Sequence, residues 1–409
     1  MSWAEAKAEI LANVSLASIA GTRSSRMQCP FHHSDALDMQ LFHEDNRWKC
    51  WGRCQASGDI FDWYQLENGC DFKTSLKQLA EFAGISLMPS KERTEALMAT
   101  QRFYHEELKN HPEVIAYLKR RGFSEELMFR RQIGYAPNKI WPDNVPVRAL
   151  EQVGLIKPSG YGPWPWFRDM IVYPVYDKMC NQVQMQGRAF PHTEEDTGPK
   201  YLALGQDVEI PGRSIYQCLA GEEILRDKLT KWAFLCEGWP DRETLTAWSL
   251  PALGLFGNKG LEKHSHKLGH LEQLYVLLDP DEASQKKLLD QLYQLAMRIP
   301  TVDIRNIVMP GDLDLNDWAR QGRSAEEPLD PVRDEARIGE LREWARNAKP
   351  LVEELIIHWA PHRWRVEMLV KLIARQPEPD RWIHRLAQEL NRSEEAVRLL
   401  IEVLAPPPL

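Results

Sequence analysis

Apolar residues in the middle of the chain come in short runs: 169–176, 182–189, 232–235, 274–278 and 304–309. Runs this short read as strands, whereas helices show a 3.6-residue period over longer windows. The first two runs flank the turn Asp177–Asn181 and predict a hairpin. The last three are separated by helical patterns and predict buried parallel strands. Towards the N-terminus, Ile10, Leu11, Val14 and Ile19 mark one amphipathic helix over 1–22, ending near Gly21. Met39, Leu41, Phe42 and then Trp48 predict two strands around a turn at 44–46. Residues 88–95 read as a linker, with a helix from Thr94 to Asn110. A helix over 112–121 stops at Gly122, and Ser124 with Glu125 and Glu126 opens another. Further helices are expected at 149–156 and 221–231, and after a polar boundary at 320–335 in five pieces, 336–347, 350–358, 364–376, 379–390 and 393–404. The class is mixed α/β and α+β in several domains.

With 409 residues the chain has room for two to four domains. A net charge of −8 restricts any nucleic-acid site to a local basic patch or one bridged by metal. No run of 18 apolar residues occurs. Met1–Ala20 lacks the charged start and apolar core of a signal peptide, so a cytoplasmic protein is expected. Of seven cysteines, three cluster near one histidine, which suits a metal site in a reduced compartment.

That cluster is Cys29-x2-His32-x17-Cys50-x3-Cys54, the spacing of a structural zinc site with four N/S ligands. His33 and His43 are alternative ligands. A second cluster is acidic. Glu237 and Asp241, Asp279 and Asp281, and Asp314 and Asp317 each follow one of the three parallel strands. Ligands of open parallel sheets bind at the carboxyl ends of strands. Carboxylates gathered on one rim repel unless a cation joins them, and hard oxygen donors suit Mg²⁺ or Mn²⁺. Taken singly, each acid reads equally well as an N-cap or a solvated loop charge. The ordered set points to phosphoryl-transfer chemistry. The glycine-rich 254–260 segment has no G-x-x-x-x-G-K-[ST] pattern, so no ATPase is expected.

The acidic set resembles the toprim domain of DnaG-type primases, topoisomerases and some nucleases. The resemblance implies Glu237 as general acid/base or first metal ligand, Asp279 and Asp281 as main ligands, and Asp241 and Asp314 as further ones. A second aspartate usual in that family is Asn316 here, its carbonyl oxygen a candidate ligand, and Pro280 replaces a small residue. C-P-F-H at 29–32, Trp48 and G-D-I-F-D-W at 58–63 resemble the family's zinc ribbon over about residues 5–88. In that family the ribbon meets the single-stranded template, where Phe31, Trp48 and Trp51 either stack on bases or pack the ribbon. Y-L-K-R-R-G at 117–122 and I-G-Y-A-P at 133–137 resemble the opening of the polymerase core. Arg121, Arg168, Arg188, Lys200, Tyr201 and Arg213 are thereby implied to line a basic ridge or hold the incoming triphosphate.

The resemblance implies a zinc ribbon (1–88), a linker and helix (89–110), the N-terminal part of the core (111–231), a toprim catalytic domain (232–325) and a helical subdomain (336–409). It implies a monomeric DNA primase that copies single-stranded DNA from ribonucleoside triphosphates into RNA primers, with one structural zinc and catalytic Mg²⁺ or Mn²⁺. A replicative helicase is the implied partner, and the helicase-binding domain of longer members is expected to be missing. Two alternatives stand beside it: a toprim nuclease or strand-cleaving enzyme, and a catalytically weak primase-like binding protein.

Overall fold

The apolar runs become strands in the computed structural model. It describes residues 3–404 except 23, 33–35, 84–90, 139, 161, 192–197, 206–212, 258–260, 279–281, 310, 312 and 325–326. The first sheet is an antiparallel meander of β1 (Arg26–Met27), β2 (Met39–Phe42), β3 (Arg47–Cys50) and β4 (Ser57–Asp59). Asp59 then caps helix Ile60–Asn68 through a reciprocal box with Asp62, and Gly69 ends it at φ 59°. Phe31, Trp48 and Trp63 pack together with ring centroids 5.0–5.5 Å apart, so Phe31 and Trp48 belong to the ribbon's own core. Trp51, in contrast, is half exposed beside Lys49.

The expected single N-terminal helix is broken in two, Trp3–Asn13 and Leu16–Ala20. Asn46 explains the break. Its side chain accepts from Leu16 N (2.7 Å) and donates to the carbonyls of Leu11 and Val14 (2.9 Å each). Ser15 caps the second piece.

Helix Lys91–Leu108 begins inside the stretch read as a linker and lies on the second sheet, ordered β10 (Tyr201–Ala203), β9 (Gln182–Ala189), β8 (Met170–Tyr176), β5 (Gly134–Ala136), all antiparallel. A small ribbon, β6 (Ile156–Lys157) with β7 (Trp164–Pro165), flanks it. β8 is buried almost throughout because both its faces are covered. Ile171, Tyr173 and Val175 enter one apolar cluster, while Met170 and Val172 enter another. The hairpin falls where the sequence placed it. The helix expected at 221–231 is instead a single 3-10 turn, Glu222–Arg226.

The third sheet is fully parallel, ordered β12 (Ala252–Gly254), β11 (Trp232–Cys236), β13 (Gln273–Leu277), β14 (Asp303–Asn306). Helix Trp239–Ala247 links β11 to β12, and helix Glu282–Arg298 links β13 to β14. Five helices follow, Glu335–Asn347, Leu351–Trp359, Arg363–Ala374, Pro379–Leu390 and Glu394–Leu404, and they share two apolar clusters with this sheet. Trp359 and Trp382 are buried there and Trp344 packs against Trp318, whereas Trp364 is 66% exposed and is not core. Among the described residues no helix is long and apolar enough to cross a membrane.

Candidate active site and zinc centre

The parallel sheet puts its chemistry just past its carboxyl edge. β11 ends at Cys236, and Glu237 and Gly238 carry the chain into helix Trp239–Ala247, with Pro240 in the first turn. Asp241 sits in that turn, and its Oδ1 accepts from Asn316 N at 3.2 Å. Past β14, Asp314 caps helix Leu315–Arg320 by accepting from Asp317 N. Asp279 and Asp281, with Pro280 between them, lie outside the described residues.

A basic turn faces these acids. Helix Pro112–Arg120 ends against Arg121, and Gly122 turns the chain at φ 85°. A side chain there would be strained, and its Cβ would lie 2.7 Å from Leu329 Cγ. Arg121 spans to Asp317 (2.7 Å) and towards Asp314 (3.6 Å). Burial pulls its guanidinium down, but the Asp314 and Asp317 carboxylates outweigh this and hold it above the usual arginine range. From the antiparallel sheet come Arg188 on β9 and Tyr201 on β10, which are register partners, with Lys200 beside them. Arg188 lies 4.9 Å from the Tyr117 ring, and Lys200 lies 5.8 Å from the Tyr201 ring.

One cavity of about 410 Å³ gathers Arg121, Arg188, Lys200 and Tyr201 with Glu237, Asp241, Asp314 and Asp317. Its acidic donors are all carboxylate oxygens, the donor type Mg²⁺ and Mn²⁺ take, but among the described residues only the ribbon's Cys/His group brings three or more ligating side chains to one point. Gln186 and Tyr117 also line the cavity; Tyr117 opens the Y-L-K-R-R-G motif but was given no site role, and Gln186 was not singled out. Tyr117 stands one helical turn before Arg121, so the i,i+4 spacing was the available signal.

Three proposed site residues are placed differently. Arg168 lines a neighbouring cavity of about 770 Å³ with Trp164, Trp166 and Lys157. There Arg168 lies 4.3 Å from the Trp164 ring and Lys157 lies 3.8 Å from that of Trp166. Arg213 is buried away from the ridge, 3.7 Å from Glu9 and from Glu222. It joins the N-terminal helix to the core, because burying a guanidinium requires paired carboxylates. Asn316 is fully buried, its amide nitrogen donating to Arg121 O and to Thr244 Oγ1.

A buried charge network underlies the site. Glu243 accepts from Arg242, from Arg131 (2.9 Å) and from the Tyr173 hydroxyl (2.6 Å), and Glu223 accepts from both arginines. It ties the helix bearing Asp241 to the core's first segments.

In the ribbon, Cys29, His32, Cys50 and Cys54 bring their ligand atoms within 4.8 Å of one another. Cys29 Sγ and Cys54 Sγ are 3.7 Å apart, as are Cys50 Sγ and His32 Nδ1. Tetrahedral zinc with Zn–S of about 2.3 Å separates its sulfurs by about 3.8 Å, so the donors fit. The other imidazole nitrogen of His32 faces Asp38 at 3.5 Å, the usual outer partner of a zinc-bound histidine. At Gly52, in the three-residue spacer, an added Cβ would fall 2.3 Å from that carboxylate, so a side chain there would displace Asp38. Burial pushes the Cys29 thiol up, to about 12. Burial also acts to raise Cys54, but the Ala56 N–H, the other two cysteines and His32 draw it down to about 7.

Two family models match. Residues 10–95 match the CHC2 zinc finger, and residues 103–207 match the N-terminal domain of the DNA primase catalytic core. The DNA primase of Geobacillus stearothermophilus is 26% identical over 319 residues, covering 69% of this chain and 52% of that protein. That of Thermotoga maritima is 31% identical over 196 residues, 44% of this chain and 34% of its own. The chain spans about half the length of the curated relatives it matches. Among solved structures, the zinc-binding and RNA polymerase domains of Aquifex aeolicus primase match at TM-score 0.59 and 19% identity, covering 98% of this chain and all of that one. A DnaG primase catalytic domain bound to single-stranded DNA matches at TM-score 0.60 and 20% identity, over 75% of this chain and 99% of the other. These likenesses establish the fold.

Proposed function

We propose, from the premise that this chain belongs to the DnaG-type primases, that it is a DNA-directed RNA polymerase making short primers on single-stranded DNA. The observation that carries the reading is the cavity in which Arg121, Arg188 and Lys200 face Glu237, Asp241, Asp314 and Asp317. Nucleotidyl transfer needs both halves: cations for a triphosphate and carboxylates for the metal that accompanies it.

The residues divide the work by chemistry. Arg121, Arg188 and Lys200 hold the triphosphate oxygens. Glu237 takes the proton from the primer 3′-hydroxyl, whose oxygen attacks the α-phosphorus as the bond to the bridging oxygen breaks and pyrophosphate leaves. Glu237, Asp241 and Asp314, with Asp279 and Asp281, would hold Mg²⁺ or Mn²⁺, which when bound neutralises charge on the phosphates. The neighbouring Trp164–Arg168 cavity continues the path for a single strand, since aromatic faces beside cations bind stacked bases irrespective of sequence. One zinc on Cys29, His32, Cys50 and Cys54 holds the ribbon.

The same reading divides the chain at 1–88, 89–110, 111–231, 232–325 and 336–409, and gives it a replicative helicase as partner. Labelled-ribonucleotide incorporation on single-stranded DNA, wild type beside Glu237→Gln, tests it. Short RNA products that fall by about 10²–10⁴-fold in the variant are expected. Template degradation without RNA would replace the reading with a nuclease.

A further inference from the structure

Three successive backbone carbonyls of the basic turn are each caught by the segment that follows β14. Arg320 Nε donates to Arg120 O (3.0 Å), Asn316 Nδ2 to Arg121 O (2.9 Å) and Leu329 N to Gly122 O (2.9 Å). These carbonyls close a helix end, where intrahelical donors run out. Donors some 200 residues away supply what the helix lacks.

Asn316 is the innermost clasp. Besides Arg121 O, its amide nitrogen donates to Thr244 Oγ1 at 2.7 Å, and its backbone N donates to Asp241 Oδ1. The amide orientation is settled by its neighbours. Thr244 commits its hydroxyl proton to Pro240 O at 3.0 Å, so its oxygen must accept. A carbonyl also only accepts, so the NH₂ group, and not the carbonyl oxygen, faces both partners. The side chain is fully buried. Its Oδ1 has no hydrogen-bond partner among the described residues.

We propose, resting on the function above, that Asn316 is a positioning residue for Arg121. By holding the Arg121 backbone, it aims that guanidinium at the cavity where the triphosphate is bound. An aspartate at this position would fail here. Its oxygen would lie about 3 Å from the Arg121 carbonyl with no proton to share, and it would add charge beside Asp241. Asn316 thus acts on the nucleotide through Arg121.

The test compares full-length wild type, Asn316→Ala, Asn316→Asp, Arg121→Ala and the Asn316→Ala/Arg121→Ala double variant. Mn²⁺ binding is measured by electron paramagnetic resonance, ATP binding by titration, and KM and kcat by primer synthesis. A buried hydrogen-bonded contact of this kind corresponds to about tenfold or more in affinity. Asn316→Ala and Asn316→Asp are expected to weaken ATP binding and raise its KM by about tenfold, with Mn²⁺ affinity of Asn316→Ala within about threefold of wild type. In the Arg121→Ala background, Asn316→Ala should add nothing further. Should the buried variants fail to fold, Arg320→Ala removes the neighbouring clasp from an exposed bond and should also raise KM for ATP. Tighter Mn²⁺ binding in Asn316→Asp with unchanged ATP affinity would make Asn316 a metal ligand and overturn the proposal. So would additive effects in the double variant, or an unchanged KM in Arg320→Ala. Wild-type protein that binds no ATP and makes no primer would overturn both this and the underlying function, whereas active wild type with indifferent variants overturns this proposal alone.

Discussion

Arg121 stands where the two charge systems of the cavity meet, bridging Asp317 and Asp314 from the end of the basic turn. Its planar fork spans both carboxylates, which a lysine cannot do. Arg121→Lys is therefore expected to keep the fold and lower kcat/KM for ribonucleotides by about tenfold, read in steady-state primer synthesis. Trp164 is the corresponding test of the neighbouring cavity. It is 44% exposed under Arg168, so it offers a face to a base. Trp164→Ala should weaken single-stranded DNA binding by about 1–3 kcal/mol without changing the KM for nucleotide. At this scale the sequence was informative about residue type and less so about position. The apolar runs before Glu237 and Asp314 do form β11 and β14, so their place beyond strand ends was legible, while the contact Asp314 makes is the N-cap of helix Leu315–Arg320. Arg213 carried the same charge signal as Arg188, yet it pairs with Glu9 and Glu222. Nothing local separates a buried structural arginine from a ridge arginine.

Elements differ in how they are held. The ribbon's meander has strands of two to four residues and gains order from its four metal-ligating side chains. Zinc chelation should melt residues 26–59 while leaving the parallel sheet intact, seen as new proteolysis confined to the ribbon. Helix Trp239–Ala247 is held through Glu243. Burial pushes that carboxyl up, but Arg242, Arg131 and the Tyr173 hydroxyl outweigh it and hold it below 4.5. As pH falls below 4.5 the unfolded chain takes up the proton first, so this stabilisation, present at neutral pH, is lost on acidification. Glu243→Gln should cost about 3–5 kcal/mol at pH 7, with the gap from wild type narrowing below pH 4.5 in denaturant titrations. Strands and the C-terminal helices were readable because their apolar period is local. The broken N-terminal helix was not, because Asn46 captures it from 30 residues away.

The whole molecule carries a net charge of −8, yet it places at least three cations, Arg121, Arg188 and Lys200, on one cavity and two more, Arg168 and Lys157, on the next. With the first three assigned to the triphosphate, the two cations of the strand's cavity, Arg168 and Lys157, predict a log–log salt slope of about −1.4 for single-stranded DNA binding, at about −0.7 per phosphate. Filter binding across salt concentrations checks it, and a slope near zero would exclude this cavity as the template path. The ribbon is also joined to the rest, through Arg375 with Asp45 and through Arg213 with Glu9.

By itself, the sequence determined the class of fold, the zinc ligands and the chemical character of the acidic and basic clusters. Those properties reside in local periodicity, in ligand spacing and in residue type. Tertiary structure alone decided which cations face the carboxylates, that Arg213 is structural, and that Asn316 clasps Arg121 across 195 residues. Such pairings depend on which surfaces the folded sheets bring together, and a buried charge or amide takes whatever partner lies there because leaving it without one costs several kcal/mol.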